Sequence, residues 1–391
     1  MSLVQMLFTH LRDQLQRLES EGLLRVRKMM AGPHDSHVKL DGRDFVSFCS
    51  NDYLGLASHP ALVAAVREGA ELYGVGAGAS HLVSGHNIAH HSVEEKLAKF
   101  VGQPQALLFS TGYMANLGVV TVLSGRDGVL FGDRLNHASL NDAALLSRAK
   151  LRRYPHLDIQ ALAKLLAASP NNRKLVLSDA VFSMDGDIAP VPELLALCER
   201  HNAWLLLDDA HGFGVLGAQG RGVLSHCNVS SPRIIYMATL GKAAGVFGAF
   251  VAGEKEIVET LMQRSRSYIY TTATPPLLAH ALLKSLDLIC AEDLRRTHLA
   301  NLIARFNNCL RLERWRLLPS QTPIQPLIIG ENRMALKVGA ALAEMGILVP
   351  AIRPPSVPPG TARLRISLSA THTAEDVERL ANALHELERT V

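Results

Sequence analysis

The sequence predicts an α/β fold: a mainly parallel central sheet with helices on both faces, followed by a smaller α+β domain. Three observations predict it. Six short runs, at residues 106–109, 129–131, 175–177, 205–207, 234–238 and 249–252, are apolar without alternation, and several close on Gly, Ser or Asp. Strands of that kind are buried on both faces. Amphipathic helical stretches alternate with these runs from about Leu54 onward, as in a helix-covered parallel sheet. Beyond a long helical stretch at 276–314 the texture changes. Strands are expected at 324–329, 346–350 and 363–369, with helices at 334–344 and 374–387.

Taken in order, residues 4–30 read as a helix, with Leu7, Leu11, Leu15 and Leu18 spaced three to four apart. Residues 32–44 are polar and turn-rich, marking a boundary. The domain plan is therefore an N-terminal helical arm over 1–54, a large domain over 55–287 and a small α+β domain over 288–391. Pro354, Pro355, Pro358 and Pro359 make a stiff loop within the last, since proline does not suit a central strand.

A chain of 391 residues, 48% hydrophobic and 19% charged, builds a large core without disulfides or structural metals. Net charge is only +4, with no long basic run, which argues against nucleic acid as a partner. The five cysteines form no Cys-x-x-Cys pair, which suits a reducing cytosol. Asp13, Glu19 and Glu21 interrupt the N-terminus, so no secretory signal is expected. No stretch reaches the roughly 18 apolar residues of a membrane span. A cytoplasmic protein is the expectation.

Gly74-Val75-Gly76-Ala77-Gly78-Ala79 fits a dinucleotide fingerprint, but that motif needs a strand before it. Residues 60–73 read as a helix, so a glycine loop at a domain seam is expected instead. The chain holds 17 histidines, and His86 and His90 stand four apart. Asn87 occupies the place where a metal peptidase carries glutamate, so surface or packed histidines are expected and no metal.

Four segments carry more chemistry. Ser110-Thr111-Gly112-Tyr113-Met114-Ala115-Asn116 follows a strand and opens a helix, where free amides make an anion site; a plain helix cap explains it equally well. Asp208-Asp209-Ala210-His211 ends a fully apolar strand. A buried acid there needs a cation or a set of donors, and capping the next helix accounts for one aspartate, not the set. Lys242 lies among small residues after another apolar strand. Burial favours the neutral, nucleophilic form of a lysine, although, taken alone, a snorkelling surface lysine explains it better. Ser183 would offer a hydroxyl at the same sheet edge, whereas a turn explains Asp185-Gly186.

These pieces, in this order, resemble the α-oxoamine synthases among the fold-type I (aspartate-aminotransferase-like) pyridoxal phosphate enzymes. The resemblance covers nearly the whole chain. It is carried by Ser50-Asn51-Asp52-Tyr53-Leu54-Gly55-Leu56, Asp133-Arg134-Leu135-Asn136-His137-Ala138-Ser139, Phe182 to Asp187, Asp208 to Gly212, and Gly241-Lys242. It implies an enzyme that joins an amino acid to an acyl thioester with loss of carbon dioxide.

Carried over residue by residue, the resemblance makes Lys242 the covalent anchor of pyridoxal 5'-phosphate and the base of the reaction. It pairs Asp208 with the pyridine nitrogen and places His211 and Ser183 near the ring's phenolic oxygen. It stacks His137 on the ring. The amides of Gly112 and Tyr113 and the hydroxyl of Thr239 would hold the phosphate. Thr271 or Thr272 would reach a phosphate across a homodimer interface. Arg365 and Asn51 would grip the amino-acid carboxylate, and Arg25 and Ser356 the acyl substrate.

Three stretches narrow the expected substrates to L-alanine and a pimeloyl thioester, on coenzyme A or an acyl carrier protein. They are Tyr268 to Pro276, Ile324 to Ile328, and Ala351-Ile352-Arg353-Pro354-Pro355-Ser356-Val357-Pro358. Some positions depart from the family pattern: Asp179-Ala180 replace Glu-Gly, Tyr113 replaces Phe, and Ser356 replaces Thr. The alternative is a sibling, glycine C-acetyltransferase or 5-aminolevulinate synthase. A non-catalytic member is disfavoured by the presence of Lys242, Asp208, His211 and His137.

Overall fold

A computed structural model describes residues 3–169 and 173–391. They gather into two units, one of Asn51–Ser183 and Asp187–Thr297, the other of Met1–Ser50, Met184–Gly186 and His298–Val391.

The larger unit holds a seven-stranded sheet. In chain order its strands are β1 (Gln105–Phe109), β2 (Gly128–Asp133), β3 (Lys150–Tyr154), β4 (Arg173–Asp179), β5 (Ala203–Asp208), β6 (Ile234–Thr239) and β7 (Ala249–Gly253). In space the order is β1-β7-β6-β5-β4-β2-β3. All six apolar runs are strands. Val129, Leu130, Phe131, Leu175, Val176 and Leu205 to Leu207 are buried, as strands covered on both faces require. β2, β3, β4, β5 and β6 run parallel. β7 is antiparallel to both neighbours, β1 and β6, so the sheet is mixed. An apolar run carries no mark of its direction. β3 was not expected from the sequence, because Lys150-Leu-Arg-Arg-Tyr is largely polar; as an edge strand, it needs only one neighbour.

β1, β2, β4, β5 and β6 all end at the same edge, where ligands bind in open α/β sheets. The turns after them carry Gly112, His137, Ser183, His211 and Lys242.

The helix Gly112–Leu123 begins at this edge. Thr111 caps it in extended conformation, its Oγ1 accepting from the Met114 amide at 3.2 Å. The helix Ala138–Ser147 also starts there, capped by His137. The glycine run after the helix Pro60–Tyr73 lies inside this unit rather than at its boundary. Gly74, at φ 73°, ends that helix in a backbone conformation that favours glycine.

The smaller unit has two four-stranded sheets. One is formed by Met30–Ala31, His37–Leu40, Arg43–Ser47 and Ile347–Leu348, the last two pairing in parallel. The segment expected as turns between 32 and 44 therefore contributes strands. Its alternation of buried Val38 and Leu40 with exposed His37 and Lys39 is the period-two signal. The other sheet is antiparallel and contains Arg316–Leu317, Ile324–Gly330, Ala362–Ser367 and Ala351–Ile352.

Two helical expectations are corrected. The N-terminal helix is Leu3–Ser20, not 4–30. Gly22 takes φ 66°, and the amides of Leu23 and Leu24 turn back to the Leu18 carbonyl, a glycine stop signal. The stretch 276–314 is two helices, Pro276–Ala291 and Asp293–Cys309, separated at Glu292. Among the described residues, no helix is long and apolar enough to cross a membrane.

Candidate active site

At the carboxyl edge of the large sheet lies a cavity of about 220 Å³. Its lining includes Gly112, Tyr113, His137, Ser183, Asp208, His211, Thr239 and Lys242, eight of the residues singled out in the sequence. Asp179 and Ser139, which were given no role, line it as well. Typical small-molecule sites occupy roughly 300–1,000 Å³, so this cavity suits a compact ring rather than a long acyl chain.

The two adjacent acids part company. Asp208 faces the cavity, buried, its carboxylate accepting from Asn116 Nδ2 at 2.8 Å and from the Ala210 amide at 3.1 Å. Both of these donors are neutral dipoles. Asp209 turns into the core and accepts from the Val223 amide and the Tyr236 hydroxyl, each at 2.7 Å. Burial pushes its carboxyl up to about 7 in spite of those donors. The Asp-Asp pair is thus one site acid and one structural acid. Asp179 sits beside Asp208 in register on the neighbouring strand and accepts from the His137 amide at 3.1 Å. Burial, and then the Asp208 charge, drive its carboxyl well above the ordinary range, towards the neutral form.

Lys242 is half-buried, with Nζ 2.9 Å from His211 Nε2. His211 Nδ1 lies 2.6 Å from the Tyr53 hydroxyl, which donates to Asn51 Oδ1 at 3.2 Å. An amine is thereby held by a buried imidazole whose orientation is fixed by a phenol behind it. Tyr53 was quoted in the sequence only as part of a motif; a lone tyrosine in a polar segment gives no further signal.

The first amides of the helix Gly112–Leu123, those of Gly112 and Tyr113, precede the capped amide of Met114. Helix geometry leaves such amides without intrahelical acceptors, an anion-binding arrangement. Thr239 lines the same end, although its hydroxyl here donates to the Gly248 carbonyl at 3.0 Å. The Tyr113 hydroxyl donates to Asp142 at 2.6 Å.

The remaining sequence candidates are elsewhere. Thr272 pairs with Ser80 in an isolated bridge, and neither Thr271 nor Thr272 lines the cavity of the single chain. Arg25, Ser356 and Arg365 belong to the smaller unit. Arg365 is buried and donates to Ser367 Oγ at 2.8 Å. Arg353 is held below the ordinary guanidinium range by burial and then by the nearby Arg25 charge, so two cations share one neighbourhood of that unit.

Although no metal was expected, His81, His86 and His90 come together, each offering a ring nitrogen within 4.8 Å of the others. His90 is fully buried. It accepts the Asn87 amide at Nδ1 and meets the Thr274 carbonyl at Nε2, 2.6 Å away. Both nitrogens are engaged, and the residue completes a capping box for its helix. His81 joins it, with Nδ1 3.0 Å from His86 Nδ1 and its ring stacked on Tyr268.

His156 bridges Asp133 at 3.0 Å and Asp187 at 2.8 Å. Burial pulls this imidazole down, but the hydrogen bonds and charges of the two acids outweigh it and hold it up at about 10. Its stabilising charge is therefore fully present below the unfolded value of about 6.5 and is lost as pH rises through about 10. His156→Ala is expected to destabilise the protein by about 3 kcal/mol at neutral pH, by stranding two acids. Urea denaturation of both proteins should show that difference at about pH 7 and a much smaller one above pH 10.

Comparison with known proteins agrees with this geometry. The family model for aminotransferase class I and II matches residues 43–384. The 8-amino-7-oxononanoate synthase of Nitrosospira multiformis is 66% identical over 379 residues, covering 97% of this chain and 96% of its own. Among solved structures, serine palmitoyltransferase with a PLP internal aldimine superposes with a TM-score of 0.92 at 29% identity, covering 100% of this chain and 99% of its own. The 8-amino-7-oxononanoate synthase of Francisella tularensis gives 0.76 at 32%, covering 88% and 97%.

Proposed function

Because this chain belongs to the class I and II aminotransferase family, and within it to the 8-amino-7-oxononanoate synthases, we propose that the cavity around Lys242 is where it condenses L-alanine with a pimeloyl thioester. The reaction releases carbon dioxide and supplies biotin biosynthesis. The cofactor is pyridoxal 5'-phosphate. The observation that carries the reading is the joint placement of Lys242, His211, Asp208 and His137 around one cavity. Serine palmitoyltransferase gives the higher structural score, but at 29% identity against 66% for the synthase. Substrate choice follows side chains, so the identity decides.

The residues present fit the cofactor. A buried carboxylate held by the Asn116 amide and the Ala210 N–H suits a protonated pyridine nitrogen. The open helix N-terminus of Gly112 and Tyr113 suits a phosphate. The half-buried amine of Lys242 suits a carbonyl carbon. When bound, the cofactor supplies an electron sink for charge that develops at the amino acid's α-carbon.

The chain's own groups do the rest. Lys242 would hold the cofactor through its amine, and that amine would take the α-proton of the substrate. His211 accepts a hydrogen bond from Lys242 Nζ and so aims the amine. Asp208 would pair with the protonated ring nitrogen, with Ser183 and His211 on the phenolic side. His137 would cover the ring face. Thr239 adds a hydroxyl to the phosphate end by leaving Gly248, and Thr271 or Thr272 serves that end from a partner subunit. Arg365 and Asn51 receive the alanine carboxylate, and Arg25 and Ser356 the acyl chain. A homodimer with shared sites, a cytoplasmic location and a thioester carried by coenzyme A or an acyl carrier protein complete the reading. All five cysteines carry free thiols, which supports the location.

A substrate screen tests it. Alanine, glycine and serine are each paired with pimeloyl-, acetyl-, succinyl- and palmitoyl-coenzyme A, and carbon dioxide release is followed. Alanine with the pimeloyl thioester should lead, with glycine weaker by roughly 10–200-fold for want of one methyl group. Preference for glycine with a short acyl group, or for serine with palmitoyl-coenzyme A, would sink it.

A further inference from the structure

His137 lines the cavity, and its hydrogen bonds decide which ring nitrogen carries the proton. The backbone amide of Ser139 donates to His137 Nδ1 at 3.3 Å. An amide N–H has no lone pair to offer, so this long contact favours Nδ1 as the accepting nitrogen but is too weak to fix it alone. Ser139 Oγ lies 2.7 Å from the same atom. Whether that hydroxyl gives or takes a hydrogen there is settled one residue further on.

Asn116 Nδ2 donates to Ser139 Oγ at 2.8 Å and, with its second hydrogen, to Asp208 Oδ2 at 2.8 Å. Turning the amide over would set its oxygen against the Asp208 carboxylate, acceptor facing acceptor, at a fully buried position. Ser139 Oγ therefore receives a hydrogen from Asn116 and passes its own to His137 Nδ1. Asn116 Oδ1 has no partner among the described residues, so the amide is held by its two donor contacts alone. Burial keeps the His137 imidazole below its ordinary pKa, in keeping with a neutral ring.

We propose that Asn116 and Ser139 are positioning residues that fix His137 in its Nε2–H tautomer, so that it meets the substrate as a hydrogen-bond donor to a carboxylate or carbonyl oxygen. Proton abstraction is then left to Lys242. The charge of Asp208 sets the polarity of the whole chain, through Asn116, to a histidine on a different segment. The catalytic part of this inference rests on the function proposed above; the tautomer does not.

The tautomer is read by nitrogen NMR on cofactor-free protein with isotope-labelled histidine, the His137 signals being assigned by their loss in His137→Asn. The wild type should show the proton on Nε2 alone. In Asn116→Asp the new carboxyl accepts the Ser139 hydroxyl hydrogen, so the hydroxyl no longer donates to His137 and the Nδ1–H form should appear. Should that variant not fold, Ser139→Ala decides instead: the 2.7 Å contact is lost and a mixture of tautomers is expected, with Ser139→Thr restoring the single form. In the loaded enzyme Ser139→Ala should lower kcat/KM for alanine by roughly tenfold, the loss of one neutral hydrogen bond, with cofactor affinity unchanged. A wild-type proton on Nδ1, or an unchanged tautomer in the deciding variant, overturns the proposal. Failure of the functional reading would show separately, as wild-type protein that develops no visible absorbance with pyridoxal phosphate.

Discussion

Lys242→Ala is expected to eliminate turnover, with a fall on the order of 10⁴-fold or more. General base catalysis alone contributes roughly 10²–10⁴-fold, and the same amine also anchors the cofactor. The variant should still take up pyridoxal phosphate through the Gly112 and Tyr113 amides and Asp208, but more weakly. Its visible absorbance should be that of free cofactor rather than of a lysine adduct. His211 stands 2.9 Å from Lys242 Nζ and would keep its place, since Tyr53 holds its other nitrogen at 2.6 Å. The fold should survive, because Lys242 is half-buried and sits on a loop. Turnover at the normal rate in this variant would end the assignment.

Asp208→Asn comes second in size. The substitution is isosteric and removes the buried negative charge. A protonated ring nitrogen would lose its counterion, and breaking a buried pair from one side costs about 3–5 kcal/mol. At about 1.4 kcal/mol per factor of ten, that is a fall in kcat/KM of roughly a hundred- to several-thousand-fold. The effect should lie mainly in kcat, since the charge matters most where the α-carbanion develops. A fall below tenfold would mean that Asp208 is not the partner of the ring nitrogen. Asp209→Asn is an instructive contrast. It alters a residue whose partners, Val223 and Tyr236, are structural, so its effect should fall on stability.

Asp208 could be read in the sequence because physics makes it conspicuous: an acid at the end of an apolar strand has to be accounted for. Lys242 and the Thr111-capped helix were legible for similar reasons, as polar groups at the ends of buried runs. What could not be read was pairing. Nothing in Ala249 to Gly253 says that this strand runs against its neighbours, and nothing in Lys150 to Tyr154 marks a strand at all. His156 is ordinary in sequence, and its half-buried imidazole is pushed towards the charged form only when Asp133 and Asp187 close around it. Asn116 left one usable trace, a primary amide within the otherwise apolar stretch of the helix Gly112–Leu123. A buried amide in such a helix has to spend its hydrogens somewhere, and here both go to the site.

The reversed strand β7 sets Lys242 apart from the other site residues. Gly112, His137, Ser183 and His211 follow strands whose chain then leaves the sheet. The chain after Lys242 returns directly into β7, where Ala249 pairs with Thr239 and the Leu240 amide meets the Gly248 carbonyl at 2.8 Å. Both ends of the loop are anchored within ten residues, so its conformation depends on contacts close in sequence. If Lys242 carries the cofactor as proposed, an amine that has to let go of it and recapture it is mounted on a backbone with little freedom to drift. The travel needed for release and return is left to the four-carbon side chain.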